Sequence, residues 1–170
     1  LPEPGYVCTR SQKTDSGCRL TAPRLGIRLD LIQENAKTLV AALALRGIAV
    51  TGITKAALGS PENARKMQGA GARSIGDSRI ENLERMRQAG LVTEFVLIRS
   101  PMISQVDRVV AEADLSHNTE IDVIACLSKA AQKQNRAHGV LLMVELGDLR
   151  EGIPLGAIEG TVRRTLGFPN

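Results

Sequence analysis

The feature that most constrains the fold of this 170-residue chain is a regular alternation of short apolar runs with segments of helical pattern. The apolar runs begin about 19 to 26 residues apart, which is the period of a repeated strand–helix unit. Most of the runs are continuous rather than alternating, as expected for parallel strands that are covered on both faces. The pattern therefore predicts an α/β protein. The predicted strands are residues 48–54, 73–77, 95–99, 114–117 and 140–145.

Two arrangements of such a parallel sheet are common, an open doubly wound sheet and a closed (β/α) barrel. No G-x-G-x-x-G motif follows the first predicted strand, so we favour the (β/α) TIM-type barrel over a dinucleotide-binding sheet. A complete barrel requires about 200 residues or more. Because only about five βα units are found, we expect an incomplete barrel formed by residues 21–170. Residues 1–20 are an N-terminal arm to which the sequence assigns no structure.

Short polar motifs predict where the helices begin. Ser60 followed by Pro61 is typical of a helix N-terminus. Before the first helix, residues 24–29 are predicted to form a short strand-like lead. Three other pairs have the spacing of a capping box: Asp30 with Gln33, Ser78 with Glu81, and Thr119 with Asp122. Apolar residues at helical spacing predict the inward faces of three helices: Ile32, Ala36, Leu39, Val40 and Leu43; Ile80, Leu83 and Met86; Val106, Val109 and Val110.

The composition argues against several classes of function. Aromatic residues make up only 2% of the chain, so stacking platforms for single-stranded nucleic acid are not expected. The net charge of +4 comes from basic residues interleaved with acids, which is typical of a solvated surface. No apolar run approaches the roughly 20 residues of a membrane span. We expect a cytoplasmic protein with neither a nucleic-acid nor a membrane partner.

The cysteines and histidines indicate neither a disulfide framework nor a metal site. Cys8, Cys18 and Cys126 form no C-x-x-C pair, and we favour free thiols in a reducing compartment over a Cys8–Cys18 disulfide. The two histidines, His117 and His138, are too far apart for a recognisable zinc spacing. We therefore expect no metal.

Lys55 is the first candidate for chemistry on its position alone. It stands where the apolar run 48–54 stops, ahead of a turn of small residues. The carboxyl ends of parallel strands are where α/β folds gather their reactive groups. A lysine at such a place can also simply solvate the strand end, and the residues alone leave that alternative open.

Longer segments carry a resemblance that extends from about Thr21 to the end of the chain. They are TAPRLGIRLDLIQENAKTL, GITKAALGSPENARKMQGAGARSIGDSRIENLERMRQAG, VLIRSPMISQVDRVVAEADLSHNTE and LLMVELGDLREGI. Together they resemble the N-terminal barrel domain of the alanine racemase family, and its ornithine racemase-like branch more than alanine racemase proper. Their motifs stand in order at the predicted strand ends.

The resemblance implies an amino-acid racemase that depends on pyridoxal 5'-phosphate and interconverts L- and D-amino acids. In such an enzyme the Cα proton is removed from a substrate joined to the cofactor as a Schiff base. Lys55 would form the internal Schiff base and act as a base at Cα. Arg150, in GDLREGI, would hydrogen-bond the phenolic oxygen of the cofactor.

Three more residues are candidates for binding the cofactor. Ser78 and Asn82 belong to the DSRxEN segment after the second strand, and His117 ends the fourth strand. Each candidate has a plainer alternative. Ser78 would cap a helix, His117 would be a structural histidine, and Arg150 would be an exposed loop residue paired with a neighbouring acid.

The chain departs from the family pattern at three places. No tyrosine follows Lys55, the loops after strands seven and eight that usually bind phosphate are not found, and neither is the opposite-face base from a partner subunit. Alternative functions are therefore a non-catalytic pyridoxal phosphate-binding protein of cofactor homeostasis, or an inactive fragment. A third alternative is a half-barrel that dimerises through its exposed edge strands. The expected partners are a small amino acid and, in a homodimer, a second copy of the chain.

Overall fold

The computed structural model describes residues 26–169 of the chain, in which strands and helices alternate as predicted. Residues 1–20, with Cys8 and Cys18, lie outside the described residues. Short 3-10 turns lie at Lys55–Ala57, Ile103–Gln105 and Leu155–Ala157; the first follows a strand and the other two precede helices. The elements are α1 (Leu29–Ala44), β1 (Thr51–Ile53), α2 (Pro61–Gly69), β2 (Ser74–Asp77), α3 (Ile80–Gln88), β3 (Glu94–Leu97), α4 (Val106–Glu112), β4 (Leu115–Asn118), α5 (Ile121–Lys133), β5 (Gly139–Leu142) and α6 (Ile158–Leu166).

The five strands pair in parallel, in the order β1-β2-β3-β4-β5. The register pairs Thr51 with Ser74 between β1 and β2, and Ile75 with Phe95 between β2 and β3. Strands that are neighbours in the sheet are thus neighbours in sequence, which is the barrel order and not that of a doubly wound sheet with a switch point. The predicted fold class is confirmed, and within the described residues the sheet remains open. All carboxyl ends of the strands lie at one edge, which we call the carboxyl rim.

The hydrophobic core lies between the helices and one face of the sheet. Ile75 and Phe95, on adjacent strands, are fully buried in it. The guanidinium of Arg87 lies 4.8 Å from the centroid of the Phe95 ring, close enough for a cation–π interaction. The predicted inward residues of α3 and α4 are all buried. In α1, by contrast, no residue is buried, and Leu39 of the predicted stripe is 52% exposed.

The face of the sheet opposite to the helices is only partly covered. A Cβ at Gly52 would contact Met67 of α2, so the next residue, Ile53, points to the opposite face. Ile53 and Leu141, in β1 and β5, are 38% and 43% exposed. The central strands are therefore covered on both faces, as predicted, whereas the two edge strands, β1 and β5, are not.

The predicted start of α2 is confirmed. Ser60 is the N-cap, its Oγ accepts a hydrogen bond from the Asn63 N–H at 3.3 Å, and Pro61 is the first helical residue. This arrangement satisfies one of the N–H groups that the first turn of a helix leaves without a partner.

The three predicted capping boxes are wrong. Their helices begin at Leu29, Ile80 and Ile121, after N-cap residues whose side chains make no capping hydrogen bond. Asp30 lies inside the first turn of α1, where its hydrogen bond with Arg28 lowers the pKa of the carboxyl to about 2. Residues 26–28 form no strand, so the part of the predicted lead strand that is described is absent.

The described residues also bear on the expected free thiols and on the expected absence of a membrane span. Cys126 is a half-buried free thiol, as predicted. Within residues 26–169, no helix combines the length and the apolar character needed to cross a bilayer.

Candidate active site

A cleft of about 380 Å³ opens at the carboxyl rim. Residues that follow β1, β2, β3 and β5 line it, so four strands contribute to one site. Its volume is within the range of small-molecule sites. The lining residues are Lys55, Ser78, Ile98, Arg99, Arg150 and Glu151, and we call this space the Lys55 cleft. A second cleft of about 310 Å³ adjoins it and shares Ser78 and Arg99 as wall residues.

Lys55 begins the tight turn that follows β1. The hydrogen-bond ladder extends one residue beyond the strand, because the Thr54 N–H donates to Gly76 O at 3.0 Å. The chain then turns through Leu58 and Gly59, whose φ angles are 52° and 67°. The Lys55 side chain is exposed and has no hydrogen-bond or ion-pair partner among the described residues. Its amine is therefore accessible at the carboxyl rim.

Arg150 is presented by a loop whose two ends are joined to each other. Val144 and Ile153 form a parallel bridge, and the Glu145 N–H donates to Ile153 O at 3.0 Å. The Glu145 carboxylate accepts bonds from two backbone N–H groups of the loop, which hold the pKa of that carboxyl below its usual range. Arg150 is exposed and makes no ion pair within residues 26–169. The alternative of an arginine paired with a neighbouring acid is therefore not found.

Ser78 and Asn82, the candidates from the segment after β2, have different surroundings. Ser78 is half-buried and lines both clefts, and it does not cap α3, whose N-cap is Arg79. Asn82 is buried and lines neither cleft. Its Nδ2 donates to Asp77 Oδ1 at 2.9 Å. Ser78 is thus placed to contact a ligand, whereas Asn82 contacts Asp77 at the end of β2.

His117 lies inside β4, in register with Leu141 of β5. It is half-buried, and burial lowers the pKa of its imidazole, an effect that the Glu151 carboxylate partly offsets. It does not line the Lys55 cleft. Burial thus favours the neutral imidazole, and the contact of His117 with a cofactor stays a prediction.

Two residues of this region were not predicted from the sequence. Arg99 follows β3, lines both clefts and has no ion-pair partner in the described part of the chain. The strand-end rule that identified Lys55 would also have identified Arg99. Asp77 is fully buried at the end of β2. An acidic residue inside a predicted buried strand was the signal for it, because a buried carboxylate needs partners.

Fold and site together define the class of protein. A parallel sheet in barrel order, with an amine and two guanidinium groups converging on the carboxyl rim, is a (β/α)-barrel domain with its candidate site on the face that barrels use for ligands.

Comparison with known proteins identifies the family. The sequence model described as "Alanine racemase, N-terminal domain" matches residues 27–170, so the chain belongs to the alanine racemase family, as the resemblance predicted. The chain is 37% identical to a lysine racemase of Thermotoga maritima over 131 residues, which are 77% of this chain and 37% of the relative. It is 35% identical to an ornithine racemase of Acetoanaerobium sticklandii over 131 residues, 76% of this chain and 36% of the relative. The chain thus spans little more than a third of the length of these relatives.

Solved structures share the fold at low sequence identity. The D-threonine aldolase of Filomicrobium marinum gives a TM-score of 0.69 at 20% identity, over 79% of this chain and 37% of that one. The alanine racemase of E. faecalis gives 0.67 at 20% identity, over 81% and 38%. PipY of Synechococcus elongatus, with PLP bound, gives 0.67 at 15% identity, over 78% and 65%. These likenesses agree with the barrel order of the strands.

Proposed function

We propose that the protein is a pyridoxal phosphate-dependent amino-acid racemase that acts on a basic amino acid such as lysine or ornithine. Membership of the alanine racemase family supports the class of reaction. The substrate class is supported by two relatives at 37% and 35% identity, a lysine racemase and an ornithine racemase.

The observation that carries the proposal is the convergence of three cations on the Lys55 cleft. Lys55, Arg99 and Arg150 follow three different strands, and none of their side chains has a hydrogen-bond or ion-pair partner within residues 26–169. Unpaired cations around one cleft favour an anionic ligand. Pyridoxal 5'-phosphate carries a phosphate and a phenolic oxygen, and an amino acid carries a carboxylate. The donor set therefore fits both cofactor and substrate.

Each of these residues has its own role in the proposed reaction. The bound cofactor supplies an electron sink that acidifies the Cα proton of the amino acid. Lys55 would hold the cofactor through its amine, and the same amine would accept or return the Cα proton of the substrate on its own side. Arg150 would donate to the phenolic oxygen through its planar guanidinium. Arg99 and Ser78 would donate to anionic oxygens of the phosphate or of the substrate carboxylate.

Glu151 gives a physical reason for preferring a basic substrate. It lines the Lys55 cleft and forms no salt bridge with a described residue. The terminal ammonium of lysine or ornithine would pair with this carboxylate, whereas alanine would leave it unpaired. We therefore expect turnover of lysine or ornithine to exceed turnover of alanine.

The test compares Lys55→Ala with Lys129→Ala in the full-length protein supplied with pyridoxal 5'-phosphate. Deuterium uptake at Cα in heavy water reports racemisation of L-lysine, L-ornithine and L-alanine. Exchange should be normal in Lys129→Ala, because Lys129 is exposed on α5. In Lys55→Ala the rate should fall by roughly 10²–10⁴-fold or more, since the general base is lost.

Undiminished exchange in Lys55→Ala would overturn the role of Lys55. Cofactor binding without exchange of any of the three amino acids would favour the alternative of a non-catalytic pyridoxal phosphate-binding protein. The homodimer expected from the sequence is tested by the mass in solution, where the mass of a single chain would contradict it.

A further inference from the structure

A buried polar cluster lies beneath the turn that carries Lys55. It consists of Thr54, Asp77 and Asn82, which are 1%, 0% and 6% exposed, and we call it the Asp77 cluster. Burying a carboxylate is unfavourable unless hydrogen bonds replace its water. The partners of Asp77 therefore show which parts of the chain this group holds together.

The Asp77 carboxylate accepts three hydrogen bonds. Thr54 Oγ1 donates to Oδ2 at 2.6 Å, and Asn82 Nδ2 donates to Oδ1 at 2.9 Å. The Arg79 N–H donates to Oδ1 at 3.0 Å, which places the carboxylate at the start of α3, where the helix dipole favours negative charge. Bonds to an ionised acceptor are shorter and stronger than those between neutral groups. The carboxylate thus joins the end of β1 to the end of β2 and the start of α3.

Helix α3 also contacts the part of the turn that follows Lys55. Gly59 approaches α3 so closely that a Cβ there would lie 2.5 Å from Asn82 Cβ. Arg85 of α3 also donates to Leu58 O at 2.7 Å. The turn is therefore fixed on both sides of Lys55. Before it, Thr54 bonds directly to Asp77; after it, Gly59 packs against Asn82, which bonds to Asp77.

We propose that Asp77 is a positioning residue for Lys55, because its carboxylate fixes the strand end and the turn that aim the lysine amine into the cleft. This inference rests on the proposed function, since it takes Lys55 as the reacting amine. Asp77 lines neither cleft and acts only through its neighbours. Because the lysine side chain is long, the position of its amine is defined only if the Cα atom is fixed. A misplacement of about 1 Å lowers a rate by up to roughly 100-fold.

A second hydroxyl contact between the same two strands provides a matched comparison. Thr51 Oγ1 and Ser74 Oγ lie 2.7 Å apart and join β1 to β2, three residues before Thr54. Loss of this contact removes a cross-strand bond but leaves the Asp77 cluster intact. The difference between the two threonines therefore separates the positioning of Lys55 from general stabilisation of the sheet.

The experiment measures how selectively Lys55 captures pyridoxal 5'-phosphate. Full-length protein is incubated with a limiting amount of the cofactor, reduced with borohydride and digested. The label at Lys55 is then compared with the label at Lys37 and Lys129, two exposed lysines on α1 and α5. The variants are Thr54→Val, Thr54→Ser, Asp77→Asn and the control Thr51→Val.

Thr54→Val and Asp77→Asn should each lower the label at Lys55, relative to the two reference lysines, by roughly 10-fold or more. Thr54→Ser retains the hydroxyl and should restore most of the label, and Thr51→Val should leave it unchanged. A role confined to stability would lower the unfolding midpoint without changing how the label is distributed. If Asp77→Asn does not fold, the two Thr54 variants decide the outcome.

Failure of this inference can be distinguished from failure of the proposed function. Wild-type protein without preferential label at Lys55 would contradict both. Preferential label that persists in Thr54→Val and Asp77→Asn would overturn the positioning role alone. Amide hydrogen exchange without cofactor gives a second readout, in which residues 54–60 should exchange faster in Thr54→Val than in Thr51→Val. Equal exchange in these two variants would count against the positioning role.

Discussion

His138, which precedes β5, is a buried residue whose hydrogen bonds indicate a neutral imidazole. Its Nδ1 lies 3.1 Å from Ala113 O, which can only accept, so Nδ1 carries the proton. Its Nε2 then accepts from Ser116 Oγ at 2.8 Å, and this oxygen in turn accepts from Asn118 Nδ2 at 2.9 Å. The chain of donors and acceptors is complete only when the imidazole is neutral.

We predict that the free energy of unfolding falls as the pH is lowered from about 7.5 to about 5.5, in part through His138. Burial lowers the pKa of this imidazole, and the hydrogen bond with Ala113 and the charge of Asp114 offset only part of that effect. In the unfolded chain the pKa is higher, about 6.5, so the unfolded state binds the proton more readily. The stabilisation is therefore complete above about pH 6.5 and is lost as the pH falls through the folded-state pKa.

Urea denaturation at a series of pH values measures this dependence, which for one proton is at most about 1.4 kcal/mol per pH unit. The matched variant is His138→Asn, because asparagine retains a donor near the position of Nδ1. Its stability should vary less with pH than that of the wild type. The pH dependence that remains in this variant is expected to come from His117, because burial also lowers the pKa of that imidazole. Equal dependence in both proteins would contradict the role of His138.

The positions of single residues were easier to predict from the sequence than their contacts. Lys55 could be placed near the carboxyl rim because it follows a predicted strand, and Arg150 because of the resemblance to the family. The bond from Asn82 to Asp77 could not be predicted, since it depends on how closely α3 approaches the end of β2. That distance is set by packing, and a local pattern does not contain it.

At the scale of elements, the starts of α2 and α3 show how a tertiary contact overrides a local motif. Ser60 and Ser78 each stand shortly before a helix, in sequences that are typical of a helix start. In α2 the motif operates, since Ser60 Oγ accepts from Asn63. Before α3, the Asp77 carboxylate at the end of β2 already accepts the Arg79 N–H, and Ser78 faces the two clefts instead. The helix was predicted correctly, but not the group that fixes its start.

Alanine substitutions of the two serines should therefore have unequal effects on stability. Ser60→Ala removes a side-chain cap and should lower the free energy of unfolding by about 1 kcal/mol. Ser78→Ala should change it by less than about 0.5 kcal/mol, because Ser78 makes no capping bond. Urea denaturation of both variants beside the wild type measures the difference. A loss at Ser78 as large as the loss at Ser60 would mean that Ser78 caps α3 after all.

At the scale of the whole molecule, the buried core is unevenly distributed. Buried residues are concentrated in the central strands and in the helices α2 to α5, whereas α1 and α6 contribute none. The spacing of the apolar runs predicted the order of the elements, because each strand–helix unit repeats the same pattern. It could not predict this unevenness, since the apolar stripe of α1 resembles the buried stripe of α3. Only the elements that lie opposite each stripe distinguish the two helices.

This distribution predicts the order of amide hydrogen exchange in the full-length protein. Exchange should be slowest in β2, β3 and β4 and fastest in α1 and α6, because local opening is rarest where most apolar surface is buried. Leu83→Ala, at a fully buried position, should destabilise the protein by about 2–5 kcal/mol and speed exchange in the central strands. Leu45→Ala is the control at a position that is 90% exposed, and it should leave those strands unchanged. Protection of α1 and α6 equal to that of β3 would contradict the order and would show that further packing covers these two helices.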